Sequence, residues 1–409
     1  MLTQERNNIS TKLPRSSNLE LYRIICMLMI VAHHYVVSSG LTSADGPLKT
    51  DSLAINSVFL WLFGAWGKTG INCFVMITGY FMCTHQITMR KFLKLLLEIY
   101  LYRLLLFSLF LAAGYESFDL LRIFKLLMPF WGLHDDFAGC FLMFYLTIPF
   151  LSILVRNLSK RQHQWLLLLI LSCYTLLGSV PYFRITFNYF TWFCILFFVA
   201  SYIRLHPSPL FEKKRLWGWI TLANVLLAMA SIVVMQKLFS LGYFFLADCN
   251  KFFAVSVAFS SFLWFKNIDI HYSKLINTCA AATFGVLLIH ANSDAMRTWL
   301  WKDTLDVMGH YSHPLGQLVL YSIGVVLGVF IICNVIDQLR IATLEKWFFN
   351  WYDQKLSSRM EKLSMKSEEL KGKRLAVFGA NNVVDEVTAY ARRHGMTRDA
   401  LYFKSCTTH

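Results

Sequence analysis

Arg23 and His34 stand in an otherwise apolar run, Asn18-Leu-Glu-Leu-Tyr-Arg23-Ile-Ile-Cys-Met-Leu-Met-Ile-Val-Ala-His33-His34-Tyr35. Eleven positions at about 100° each make three helical turns plus about 20°, so on a helix the two share one face, about 16 Å apart along the axis. His33 points elsewhere. An ionisable residue inside an apolar span is costly and faces a bundle interior or an aqueous cavity, which makes Arg23 and the histidine pair functional candidates. An imidazole, with an ordinary pKa of about 6.5, works as a base at neutral pH. A cation in line with it suits a long, phosphate-bearing acyl carrier, with Arg23 on the phosphate and His34 at the thioester. The plainer alternative has Arg23 reaching back to the headgroups while the histidines bond neighbouring helices.

The elements that must position these residues are membrane helices. The chain has 409 residues, 56% of them hydrophobic and only 15% charged, whereas soluble domains run at about 45–50% apolar and about 25% charged. Continuous runs such as Trp165 to Leu177 and Leu318 to Ile332 require helices that satisfy their own backbone, not the short alternating segments of a barrel. The expected fold class is an all-α integral membrane protein of about ten transmembrane helices, near 21–40, 57–83, 93–114, 138–155, 164–181, 188–204, 216–236, 252–267, 275–292 and 315–339. Gly64, Gly67 and Gly70 in the first half of the second span predict that it is tilted or broken, with the crossing part beginning near Gly70. The first run carries Arg23, His33 and His34 and no evident small-residue cleavage site, so it reads as a span and not a cleaved signal.

Lys and Arg gather on one set of alternate loops, which predicts cytoplasmic N- and C-termini. The formal net charge of +15 is then mainly a topology signal, and nucleic-acid binding is not expected. The ten cysteines are scattered singly, mostly within apolar runs, and read as small buried residues. Neither disulfides nor a metal site is expected from them. Trp131, His134, Asp135, Asp136, Trp299, Trp301, Asp303 and His310 fall in outer loops, where they suit a sugar acceptor or serve as interfacial anchors. Beyond Arg340 the chain turns polar, then offers strand candidates at Arg374–Phe378 and Ala400–Phe403 around a helix candidate at Val384–Arg393. The turn at 379–382 has one Gly where a dinucleotide fingerprint needs three, so a nucleotide site is not expected there. Three regions follow: a cytoplasmic segment at 1–20, a membrane domain at 21–341 and a cytoplasmic extension at 342–409.

At Arg23 and His34 the sequence resembles the membrane acyltransferase-3 family, whose first helix carries Arg or Lys, ten residues, and His. Gly70-Ile-Asn-Cys-Phe-Val-Met-Ile-Thr-Gly79-Tyr-Phe81 is similar to the family's second helix. Phe141 to Phe150 with Pro149, Ser201-Tyr-Ile-Arg204 and Phe284-Gly-Val-Leu-Leu-Ile-His290 strengthen the likeness, which covers about 18–341. One departure stands out: relatives place two arginines three apart at the start of the third helix, where this chain has Lys91-Phe-Leu-Lys94 after Arg90. Lysine binds phosphate as a point charge, without the bidentate fork of arginine.

The resemblance implies a multi-pass enzyme of the cytoplasmic membrane that O-acylates a cell-surface glycan or lipid-linked sugar. It implies acetyl-CoA as donor substrate and no bound cofactor, with the donor phosphates near Arg23, Arg90, Lys91 and Lys94. His34 is then general base or acyl carrier, and the residues leave both open. His33, Glu98, Arg103 and His290 are secondary candidates; Glu98 and Arg103, five apart, are a poor helical pair, and each is expected to find a partner on another helix. Trp131, Asp135 and Asp136 are the acceptor candidates. The rival classes are a polysaccharide flippase or polymerase and a proton-coupled transporter, both of which place charges inside spans.

Overall fold

A computed structural model describes residues 17–85, 87–128, 130, 136–183, 185–356, 375–377 and 401–403. The helices in chain order are α1 (Ser17–Val37), α2 (Pro47–Thr50), α3 (Ile55–Gly64), α4 (Gly67–Met82), α5 (Met89–Ala112), α6 (Leu120–Leu127), α7 (Phe137–Asn157) and α8 (Lys160–Leu171). Then follow α9 (Tyr189–Leu205), α10 (Lys214–Phe239), α11 (Phe252–Lys266), α12 (Lys274–Ala281), α13 (Thr283–His290), α14 (Asp294–Thr298) and α15 (Leu315–Arg340). By length and composition, Ser17–Val37, Ile55–Met82, Met89–Ala112, Phe137–Asn157, Lys214–Phe239 and Leu315–Leu356 can each cross a membrane. The segments Lys274–His290 and Asp294–Ser312 add a pair bent by 94°. The protein is a multi-pass, helical membrane protein.

Several expected spans are less regular than a hydropathy pattern conveys. The stretch expected at 164–181 runs as α8, then a π-helical turn at Ser172–Leu176 and a 3-10 turn at Leu177–Ser179. The one expected at 275–292 breaks at Ala282 between α12 and α13. Tyr189–Leu205 and Phe252–Lys266 are shorter apolar helices. In the second span the break comes at Ala65–Trp66, so α4 starts at Gly67, one turn before the expected Gly70.

The chain divides into two compact units, Met1–Gln86 with Glu98–Gln338, and Ile87–Leu97 with Leu339–His409. In the first, α1 is the central element and packs on α3, α4, α11, α12 and α13. Small residues let the backbones approach, as is usual where lipid removes the hydrophobic drive between helices. A Cβ on Gly67 would lie 2.4 Å from the Cβ of His33, and one on Gly70 would lie 2.7 Å from the carbonyl oxygen of Cys26. Two inward-facing amides tie the helices together. Asn72 donates to the carbonyls of Cys249 (2.7 Å) and Ala254 (3.1 Å) and accepts from Trp192 Nε1 (2.8 Å), tying α4 to α9 and to the start of α11. Asn18 in the first turn of α1 donates to the carbonyls of Phe265, Lys266 and Ile268, capping α11 from outside. Outward, α10 exposes Leu222, Leu226, Leu227, Val233 and Val234, a face suited to hydrocarbon.

The second unit contains the basic start of α5. Arg90 donates to both carboxylate oxygens of Asp353 at 2.7 Å and lies over the Phe349 ring. Lys94 and Arg340 both pair with Glu345, each at 2.8 Å. Leu375–Val377 and Leu401–Phe403 form two short parallel strands, with Leu375 opposite Leu401. The helix candidate at Val384–Arg393 lies outside the described residues.

Candidate active site

α1 runs unbroken from Ser17 to Val37, as a stretch without Gly or Pro allows, so Arg23 and His34 keep the shared face their spacing sets. His34 lies in the last turn of α1 and His290 is the last residue of α13, which α1 packs against. His34 Nδ1 is 2.9 Å from His290 Nε2, and His290 Nδ1 is 2.6 Å from the carbonyl oxygen of Val286.

The direction of this chain of bonds follows from chemistry. A carbonyl oxygen only accepts, so His290 Nδ1 carries the proton that Val286 receives. With both rings neutral, His290 Nε2 is then the acceptor, and His34 Nδ1–H donates to it. The remaining nitrogen of His34, Nε2, is left with a bare lone pair. Among the described residues nothing hydrogen-bonds to it. This arrangement of a fixed tautomer held from behind is how catalytic and metal-ligating imidazoles are aimed. Behind His290 stands Trp301, fully buried, whose ring meets His290 edge-on at 6.4 Å and also meets Tyr35. Trp301, buried and not among the residues lining either cavity beside His34, packs against the relay.

Two cavities adjoin at His34. One, of about 190 Å³, is lined by Ile30, His34, Ile71, Arg103, Asp136, Phe137, Tyr189, Leu287, Asn292 and Arg297, among others. The other, of about 220 Å³, is lined by Ile30, His33, His34, Val37, Ser38, Gly67, Lys68, Ile71, Tyr189 and Arg297. A larger groove of about 480 Å³ is walled by Leu168, Leu171, Leu196, Val199 and Phe259 and has no ionisable lining residue except Tyr202. Polar chemistry has its groups at the first two, not there.

The expected partner of Arg103 is Asp136. The guanidinium and the carboxylate are in direct contact, and both face the His34 cavity. Asp136 also caps α7, accepting from the backbone N–H of Ala138 (3.1 Å) and Gly139 (3.0 Å). It is thus a structural acid at the cavity wall as well as an acceptor candidate. His33 gives its Nδ1 proton to the carbonyl of Gly64 at 2.7 Å and lines the second cavity. Glu98 is buried in the first unit. Arg23 is near the start of α1, paired at 3.5 Å with Glu20. Arg90, Lys91 and Lys94 belong to the second unit. Trp131, His134 and Asp135 lie outside the described residues.

Sequence reasoning missed Lys68, Tyr189 and Arg297. Lys68 Nζ donates to the Tyr189 hydroxyl at 3.0 Å. Arg297 pairs with Asp294 at 2.7 Å and donates to the carbonyl of Ala291. Lys68 was detectable as a cation within Gly67-Lys-Thr-Gly70, a segment the glycines had assigned to the span's edge. Arg297 follows His290 by seven residues, but the bend after α13 hides that proximity from any helical repeat.

A family model described as an acyltransferase domain matches residues 16–334, which takes in the whole of the His34 site. No curated protein matches the chain. No solved structure matches it either.

Proposed function

The chain belongs to the acyltransferase-3 family and is an acyltransferase, and on that premise we propose that it moves an acetyl group from acetyl-CoA to a hydroxyl of a cell-surface glycan or lipid-linked sugar, with His34 at the reacting centre. The observation that carries this is the relay Val286 carbonyl, His290, His34, which supports a His34 Nε2 lone pair open to the two cavities.

The acceptor hydroxyl gives its proton to Nε2 as its oxygen attacks the thioester carbon. The C–O bond forms, the C–S bond breaks, and the imidazolium returns the proton to the departing CoA thiolate. Throughout, Nδ1–H stays on His290 and keeps the ring from turning. Arg23, about 16 Å along α1, takes the donor's phosphates. The same lone pair can instead attack the acyl carbon, and single-turnover labelling separates the two routes: label retained on protein without acceptor marks the acyl-imidazole.

We also assign the four shorter or broken helical stretches to the membrane, giving ten spans with both termini cytoplasmic in the cytoplasmic membrane. Residues 21–341 are then the acyltransferase domain and 342–409 a cytoplasmic extension. The test is labelled acetyl-CoA supplied to membranes holding the wild type or His34→Ala. Loss of label from surface glycan in the variant is expected, and equal labelling in both sinks the assignment. Substrate flux in vesicles without any acyl donor would favour a transporter instead.

A further inference from the structure

The cavity on the His33 side of His34 has two cations in its wall, Lys68 and Arg297, and no carboxylate among its lining residues. Neither cation has a carboxylate partner among the residues lining the cavity. Lys68 has a phenol, Tyr189, as its hydrogen-bond partner, and Asp248 is not among the residues lining the cavity. Arg297 is paired with Asp294, whose side chain is 94% exposed, and a pair so open to water is worth little. In the adjoining cavity the Arg103 charge is cancelled by Asp136, so the surplus belongs to Lys68 and Arg297.

A positive surplus is costly beside a base. When His34 Nε2 takes a proton, the imidazolium forms in a cavity that already holds two cations, with only the neutral His290 behind it. An anion lodged against Lys68 and Arg297 would remove that penalty and keep His34 competent. The donor's phosphates do not meet this need, because they are assigned to Arg23 at the far end of α1. We propose that the acceptor carries an anionic group next to the acylated hydroxyl, a carboxylate or a phosphate, and that Lys68 and Arg297 bind it. This rests on the assignment of His34 as the reacting centre.

The experiment uses the full chain reconstituted in liposomes with labelled acetyl-CoA and three acceptors: glucose, glucuronate and glucose 1-phosphate. At least tenfold higher kcat/KM is expected for one or both anionic sugars than for glucose; glucuronate ahead identifies a carboxylate, glucose 1-phosphate a phosphate. Lys68→Gln and Arg297→Gln should raise KM for that sugar at least tenfold while KM for acetyl-CoA moves less than twofold, and Lys68→Arg and Arg297→Lys should restore most of the affinity. Glucose as good an acceptor as the anions, or a rise in the KM for acetyl-CoA in the Gln variants, overturns the proposal. Should none of the sugars turn over, thermal protection decides: glucuronate or glucose 1-phosphate must raise the unfolding temperature of the wild type but not of the Gln variants, and no such shift also overturns it. Equal acetyl transfer by wild type and His34→Ala would instead remove the underlying assignment, a result distinct from loss of charge selectivity.

Discussion

Asn72 and His34 stand on helices packed against each other, both polar among apolar side chains, and they are completed in different ways. The amide of Asn72 has its donor group and its acceptor oxygen matched inside the bundle, on two carbonyls and an indole N–H. His34 has one nitrogen matched and the other left at a cavity edge. A fully matched buried group holds helices in register; a group with a lone pair to spare has something to offer a substrate. The Asn72 environment is architecture, and the His34 environment is where we place the chemistry, though both fall in stretches that resemble the same family.

Mutations at the two places should therefore separate activity from stability. The largest effect is expected from His34→Ala, with acetyl transfer falling about 10²–10⁴-fold, the usual worth of a positioned base or acid, while the unfolding temperature in detergent falls less than in Asn72→Leu. His290→Phe comes next: it keeps a ring but removes the acceptor for His34 Nδ1, and should lower kcat about 10–100-fold with little change in KM. His290→Gln, whose amide oxygen can take that proton, should recover part of the loss; equal loss in both variants would reduce His290 to packing.

Asn72→Leu reverses the pattern. It leaves the Trp192 indole N–H and the Cys249 carbonyl without the partner Asn72 gave them, at a cost of about 1–3 kcal/mol for each group left unsatisfied. Denaturation midpoints should drop while turnover per folded molecule holds. A collapse of turnover in the surviving folded fraction would erase the distinction between the two sites. Gly67→Ala should sharpen it: the new methyl meets His33 at 2.4 Å, an overpacking worth about 1–3 kcal/mol. The unfolding temperature should fall, and because the clash is with the Cβ of His33, a second change His33→Ala should not restore it, whereas His33→Gly should restore part of it.

Local features of the sequence predicted these elements better than partnerships across it. The Arg23–His34 spacing survives intact because α1 is a single helix with no breaker, and period is all that such a face requires. The interruption of the second span was legible in its glycines, although the break at Ala65–Trp66 left Lys68 inside the site instead of at its edge. The π-helical turn at Ser172–Leu176 was not legible, since leucine-rich sequence looks the same whether the helix tightens or widens. Arg103 announced that it needed a partner, but Asp136 lies 33 residues away, and no periodicity spans a loop. His290 was visible as part of a motif, while its bond to His34 depends on how α13 ends beside α1.

That bond joins residues 256 apart, and the Asn18 contacts with α11 span about as much of the chain. A ribosome releases α1 into the bilayer long before α11 and α13 exist, so its histidine and asparagine wait through most of synthesis. Contacts of such separation form late and slowly. A nascent chain cut off before His290 would contain Arg23 and His34 in full and still lack the bond that fixes His34, so with His34 assigned as the reacting group the enzyme waits until its domain is almost finished.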